Sequence, residues 1–333
     1  MRIGVAGVGR IGTFHAETLR GHPAVESVIV ADADRRRAHE VAATLSVAVA
    51  ESPAALLAQG IDALVIAAAT AAHPDLIMHG MDAGLPVFCE KPVASDLGGT
   101  LAVLRRASEA SAPVQIGFQR RFDSGYAAAR SAVQSGSLGW LHTLRATTLD
   151  PAPPPAEYIA TSGGLFRDCG VHDFDAIRWV TGREVVEVYA VGANRGADYF
   201  REAGDVDTMS AVLTMDDAAI AVVSDSRYNA AGYDVRLELL GSADSISVGL
   251  DGRVPLRSAE PGITFPPGPP YPQFFERFGN AYRAELAAFV TIAADGGTSP
   301  CTIQDALEAS YIAEACELSR ARRAPVLVAE VCR

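Results

Sequence analysis

The sequence predicts an α/β protein of two domains: an N-terminal Rossmann domain with a doubly wound parallel sheet over residues 1–120, and a C-terminal α+β domain over 121–333 with a large, open, mostly antiparallel sheet. Three observations predict it. Apolar runs alternate with helix-like stretches up to Arg120, the pattern of parallel strands joined by right-handed helical crossovers. A glycine-spaced turn follows the first of those runs. Beyond Arg120, long strands joined by short turns replace the alternation. A chain of 333 residues is long enough for two separate cores.

The first-domain strands fall at Arg2–Ala6, Val25–Ala31, Ala63–Ala67, Pro86–Cys89 and Val114–Phe118. They are mostly continuous apolar runs, as expected where both faces of a sheet are covered. Helices are expected at Arg10–Gly21, Asp34–Leu45, Pro53–Gln59, Pro74–Ala83 and Asp96–Ala112. In the second domain a helix over Asp123–Ser135 leads to a strand at Leu141–Thr148, a proline-rich loop at Asp150–Pro155 and a helix over Cys169–Thr181. Strands follow near Glu184–Asn194, Thr208–Met215, Ala218–Arg227, Val235–Leu240 and Ser245–Leu250. After the Pro/Gly-rich stretch Pro261–Pro272 come helices Phe275–Ala294 and Thr302–Ala321 and a strand Pro325–Val328. Too few helices remain to cover both faces of the second sheet, so subunits are expected to pair through it.

The turn Gly7-Val8-Gly9-Arg10-Ile11-Gly12 has the spacing of a dinucleotide site. Gly7 allows the tight turn, Gly9 lets backbone approach a pyrophosphate, and Gly12 permits close helix–strand contact, with the phosphates at a helix N-terminus. Asp32 ends the second strand, twenty residues after Gly12, where a carboxylate grips the adenosine ribose of NAD. A carboxylate there repels a 2′-phosphate, so NAD is favoured over NADP. Arg35, Arg36 and Arg37 offer the opposite choice unless they form a solvated helix face. Glu90-Lys91-Pro92 stands at the C-terminal end of a strand, the edge where open α/β sheets bind ligands. Pro92 favours an extended or turned Lys91 and could hold a cis bond. A surface lysine ahead of a helix is the plainer alternative. Thr70 and His73, after the strand at Ala63–Ala67, are candidates for the nicotinamide ribose, with a helix cap as the alternative for His73.

In Gly163-Gly164-Leu165-Phe166-Arg167-Asp168-Cys169-Gly170-Val171-His172-Asp173-Phe174-Asp175, a helix starting near Asp168 puts Asp168, His172 and Asp175 on one face, with Asp173 roughly 100° away. A histidine one turn beyond a carboxylate suits a proton acceptor. Gly163 and Gly164 would let the chain approach a ligand. The alternative is a helix cap by Asp168 beside a buried structural histidine.

Together these motifs resemble the Gfo/Idh/MocA oxidoreductases over nearly the whole chain. Gly117-Phe118-Gln119-Arg120-Arg121-Phe122-Asp123 and Gly232-Tyr233-Asp234 make it most similar to the inositol 2-dehydrogenase branch. The resemblance implies an NAD-dependent dehydrogenase that oxidises a secondary hydroxyl of an inositol or related cyclic polyol to a ketone. His172 would take the proton, Lys91 would stabilise the oxyanion, and Asp168 would orient His172 or bind substrate. Gln119, Arg120, Asp150 and Tyr233 would line the polyol pocket. It also implies dimers or homotetramers. An Asp at 150, Ala231 in place of an aromatic residue and the proline-rich loop depart from the branch. They leave a pyranose or anhydrosugar open as substrate, and a non-catalytic dinucleotide sensor as a further alternative.

The chemistry of those roles needs a hydride acceptor, a base and a cation near the oxygen, and no metal. No metal-ligand spacing occurs; His15, His22, His39, His73, His79 and His142 are scattered. A net charge of −12 argues against a protein that wraps nucleic acid and does not favour anionic membranes. Five cysteines without a CxxC pair, a first strand that begins at Arg2, and no apolar stretch of membrane-spanning length give the expectation of a cytoplasmic protein.

Overall fold

The computed structural model describes residues 1–332 and divides into two compact units. The first comprises Met1–Gln119 and Asn280–Leu307; the second comprises Arg120–Gly279 and Glu308–Arg333, of which Arg333 lies outside the described residues. The second unit is therefore interrupted, where the sequence suggested one uninterrupted domain from 121 onward. The chain returns to the first unit within a single long helix.

The first unit alternates β1 (Arg2–Ala6), α1 (Arg10–Arg20), β2 (Ser27–Ala31), α2 (Arg35–Leu45), β3 (Ala48–Val49), α3 (Pro53–Leu57), β4 (Ala63–Ile66), α4 (His73–Asp82), β5 (Val87–Glu90), α5 (Leu97–Ala107) and β6 (Val114–Gly117). All pairings in its six-stranded sheet are parallel, in the order β3-β2-β1-β4-β5-β6. The order reverses beside β1, so the C-terminal ends of β1 and β4 open on a crevice, where such sheets hold ligands. Asp34, Ser52 and Asp96 cap α2, α3 and α5 through their side chains. Ile3, Val5, Val30, Val65 and Phe88 form one core with Leu286, Phe289 and Val290 of the returning helix. The edge strand β6 is not left open, since Ile116 N–H donates to Cys301 O at 2.9 Å.

The second unit begins with α6 (Ser124–Gln134), β7 (Leu141–Leu149), α7 (Ala156–Ile159), a π-helical turn (Phe166–Gly170) and α8 (Val171–Thr181). It continues through β8 (Val185–Ala193), α9 (Tyr199–Glu202), β9 (Thr208–Met215), β10 (Ile220–Ser226), β11 (Asp234–Gly241) and β12 (Ser245–Val248). Helices α10 (Phe274–Asp295) and α11 (Ile303–Arg322) and strand β13 (Val326–Leu327) complete the chain. The sheet order is β12-β11-β7-β10-β9-β8-β13, antiparallel except for the parallel pair β7/β10. Residues alternate sides along each strand. On β9, Met209, Ala211, Leu213 and Met215 are buried, whereas Val212 is 43% exposed. Tyr189, Val191 and Ile220 are likewise exposed. Val212 lies opposite Tyr189 and Val222, which makes an apolar strip along the sheet.

Asp225, on the inward side of β10, is fully buried, and neither carboxyl oxygen has a hydrogen-bond partner. Burial, reinforced by Asp173 and Asp150 against the opposing Arg120 and Arg227, pushes its carboxyl well above the usual range. A carboxyl raised on folding stabilises fully below its unfolded pKa, and that stability is lost as pH climbs through the folded value. Asp225→Asn should therefore unfold at a higher temperature than the native chain at neutral pH, with the gap closing as the pH falls toward about 4. Thermal scans across pH check this, and a destabilised variant at neutral pH contradicts it.

Candidate active site

In the first unit the glycine turn is built as its spacing suggested. Gly7 has φ +90°, and a Cβ there would stand 2.5 Å from Ala68. A Cβ at Gly12 would fall 1.9 Å from Gly7 O, so helix and turn meet backbone to backbone. At Gly9 a Cβ would meet nothing within 4 Å, and no side chain caps α1. An open backbone cradle at an uncapped helix N-terminus, beside Val8, Arg10 and Ile11, fits the pyrophosphate of a dinucleotide. Asp32 Oδ2 accepts from Val8 N–H and Oδ1 from Asp34 N–H, both at 2.8 Å. The carboxylate is thus fixed to the turn, and each oxygen keeps a lone pair for a ribose hydroxyl. Arg35 pairs with Glu51 and Arg36 with Glu40, while Arg37 lies 3.6 Å from Asp32. These arginines serve local carboxylates, which suits NAD.

Lys91 follows β5 and is half-buried, with a cis Lys91–Pro92 bond. Its neighbour Glu90 is bound from α1: His15 Nε2 lies 2.6 Å from Glu90 Oε1. The His15 ring is fully buried among Phe14, Phe88 and Tyr282. Glu90, a candidate for cofactor contact, thus has one carboxylate oxygen held from α1. His73, a candidate for the nicotinamide ribose, is held on both sides of its ring. Its Nδ1 lies 2.7 Å from Pro92 O and its Nε2 3.0 Å from Ala68 O, so both ring nitrogens stitch the loops after β4 and β5 together. Thr70 opens a short 3₁₀ turn ahead of α4 and is half-buried.

In the second unit His172 lies in the first turn of α8. The helix is entered through the π-helical turn over 166–170, so a uniform 3.6-residue stack from Asp168 to His172 does not hold. Gly163 and Gly164, with φ +84° and +94°, make the bend before it. Asp168 accepts from Arg227 Nη2 at 2.6 Å and from Tyr158 Oη at 2.9 Å. Asp150 Oδ2 accepts from Arg227 Nη1 at 3.0 Å. One buried guanidinium thus joins the two carboxylates that the resemblance assigned to substrate. Burial opposes its charge, but Cys169, Asp168 and Asp150 outweigh that and raise its pKa. The Cys169 thiol, 2.9 Å from Arg227 Nη1, is pushed up by burial.

Arg120, which the resemblance placed in a polyol pocket, is enclosed by protein partners. It is 2% exposed, donating from Nη1 to Asp173 at 2.6 Å and from Nη2 to Thr148 Oγ1 at 2.8 Å, while Thr148 donates to Asp173 at 2.7 Å. This closed triad ties α8 to β7. Gln119 is buried as well. Tyr233, also buried, has its ring against Phe278 and its hydroxyl pKa raised by burial.

Sequence reasoning missed Arg227, Tyr158 and Asp173. For Arg227 a signal existed: Ala221, Val223 and Asp225 of β10 are buried in alternation, and Arg227 just beyond the strand continues it, so two charged groups point into the unit.

Residues 1–118 match the model for the oxidoreductase family, NAD-binding Rossmann fold, and residues 126–247 match the GFO/IDH/MocA C-terminal domain. Among curated relatives, a myo-inositol dehydrogenase of Streptomyces leeuwenhoekii is 39% identical over 322 residues, 96% of this chain and 97% of that protein. An inositol 2-dehydrogenase of Rhizobium meliloti is 35% identical over 330 residues, 99% of each. Among solved structures, a probable dehydrogenase from Thermotoga maritima superposes with a TM-score of 0.92 at 32% identity, covering 99% of this chain and 100% of that one. A scyllo-inositol dehydrogenase from Lactobacillus casei, with bound NAD(H) and scyllo-inositol, gives 0.89 at 29% identity over 99% of both chains. With the two domains matched in order and the likeness running the full length, the chain belongs to the Gfo/Idh/MocA family of oxidoreductases.

Proposed function

We propose that this protein is an NAD-dependent dehydrogenase that oxidises a secondary hydroxyl of an inositol or a related cyclic polyol to a ketone. The observation that carries this is the full-length likeness to inositol dehydrogenases, and the cradle at Gly9 above Asp32 agrees with it. When bound, NAD supplies the hydride acceptor. The Lys91 ammonium stabilises the oxygen as negative charge develops, a contribution of about 3–4 kcal/mol for one such donor in a dry site. His172 accepts the hydroxyl proton. Asp150 and Asp168 accept hydrogen bonds from the polyol's other hydroxyls. Arg120 supports the site through Asp173 and Thr148.

A survey of inositols, pyranoses and anhydrosugars with NAD at alkaline pH, followed by absorbance of the reduced cofactor, tests this. Turnover of no inositol would count against it. A pyranose or anhydrosugar substrate is the second reading. It is favoured by Ala231, which lines a cavity of about 480 Å³ with Pro255, Phe265 and Pro270, where the resemblance led us to expect an aromatic residue.

The protein works in the cytoplasm as a dimer or tetramer joined through the open side of the second sheet. No helix among the described residues is long and apolar enough to cross a membrane. The exposed Tyr189–Val212–Ile220 strip supplies the apolar surface. Val212→Asp should lower the molar mass measured by light scattering to that of a monomer; an unchanged mass rejects this interface.

A further inference from the structure

We propose that Arg227 is a positioning residue of the polyol site, splitting its guanidinium fork between Asp150 and Asp168 so that both stay ionised and aimed as a pair of hydroxyl acceptors. The proposal rests on the reading that these two carboxylates meet the substrate. A guanidinium that served only to anchor the end of β10 would satisfy itself on one carboxylate, two parallel bonds at a time. Here Nη1 donates to Asp150 and Nη2 to Asp168, while Nε is buried without a partner. Arg227 gives up part of its own hydrogen bonding and, in exchange, holds two acids together.

Two carboxylates held near each other tend to share a proton, and a protonated acid presents a donor where a polyol hydroxyl needs an acceptor. A guanidinium does not deprotonate, so placing it between them removes that tendency. Tyr158 Oη donates to the other oxygen of Asp168 and fixes its plane. Titratable groups around the pair include Cys169 of the π-helical turn, Asp225 of β10 and Tyr233 ahead of β11, with the paired Arg120 and Asp173 acting on the last two. Burial pushes all three upward, which favours their neutral forms. A lysine at position 227 would bring the charge but not the fork.

The test uses the full-length enzyme with Arg227→Lys, Arg227→Met, Asp150→Asn and the Asp150→Asn/Arg227→Lys double variant. Steady-state kinetics with myo-inositol and saturating NAD are recorded across pH, with NAD affinity measured separately by fluorescence. Arg227→Lys is expected to raise KM for inositol about tenfold and to move the acidic limb of kcat/KM upward by about one pH unit. NAD affinity should stay unchanged. In the Asp150→Asn background, with one acid neutralised, the same lysine should shift the limb less. Should Arg227→Met fail to fold, the lysine variants still decide. A native enzyme active on inositol, with an Arg227→Lys limb that does not move, overturns the positioning role alone. A native enzyme inactive on every inositol overturns the substrate reading and this role with it.

Discussion

Replacing Lys91 by Ala should lower kcat for inositol oxidation by roughly two to three orders of magnitude, the usual consequence of removing one donor from a developing oxyanion. NAD affinity should change little, because the cradle at Gly9 and the Asp32 carboxylate lie on β1, α1 and β2, which the substitution leaves intact. The expected split is a large loss in kcat with a nearly native Kd for NAD. Stopped-flow single turnovers separate the chemical step from product release. An Ala variant that retains more than about a tenth of the native chemical rate removes Lys91 from the reaction.

The largest effect on stability is expected at Arg121. Its Nε and Nη2 bind both oxygens of Asp175, at distances between 2.5 and 3.2 Å, and both residues are buried. Arg121→Met leaves the Asp175 charge buried without its fork, a change that typically costs about 3–5 kcal/mol. For a unit of this size that lowers Tm by roughly 10 °C. Arg121→Met/Asp175→Leu should recover most of the loss, because no charge then remains to be desolvated. Urea or thermal unfolding measures both. A single variant within about 1 kcal/mol of native stability would show that the pair contributes little.

Most of the first unit was legible because its signals are local. The apolar runs at β1, β2, β4, β5 and β6 are continuous, and the spacing of Gly7, Gly9, Gly12 and Asp32 is dictated by contacts within one βαβ crossover. The return of Asn280–Leu307 to that unit was not legible. A helix's amphipathic pattern tells which side it buries but not which core receives it. The fate of Arg120 was hidden for a similar reason: its partners, Asp173 and Thr148, lie 53 and 28 residues away, and only the pairing of α8 with β7 brings them together. The π-helical turn before α8 was invisible because a single wide turn leaves no periodicity to detect. Asp173, which the helix geometry set apart from the Asp168–His172 face, became the anchor of the buried triad.

The short contact between His15 and Glu90 ties α1 to the end of β5. The helix that opens at the glycine turn thus grips the residue immediately ahead of Lys91, with Phe14, Phe88 and Tyr282 packed around the His15 ring. A substitution at either His15 or Glu90 would cut this tie between the helix that opens at the glycine turn and the strand that leads into Lys91.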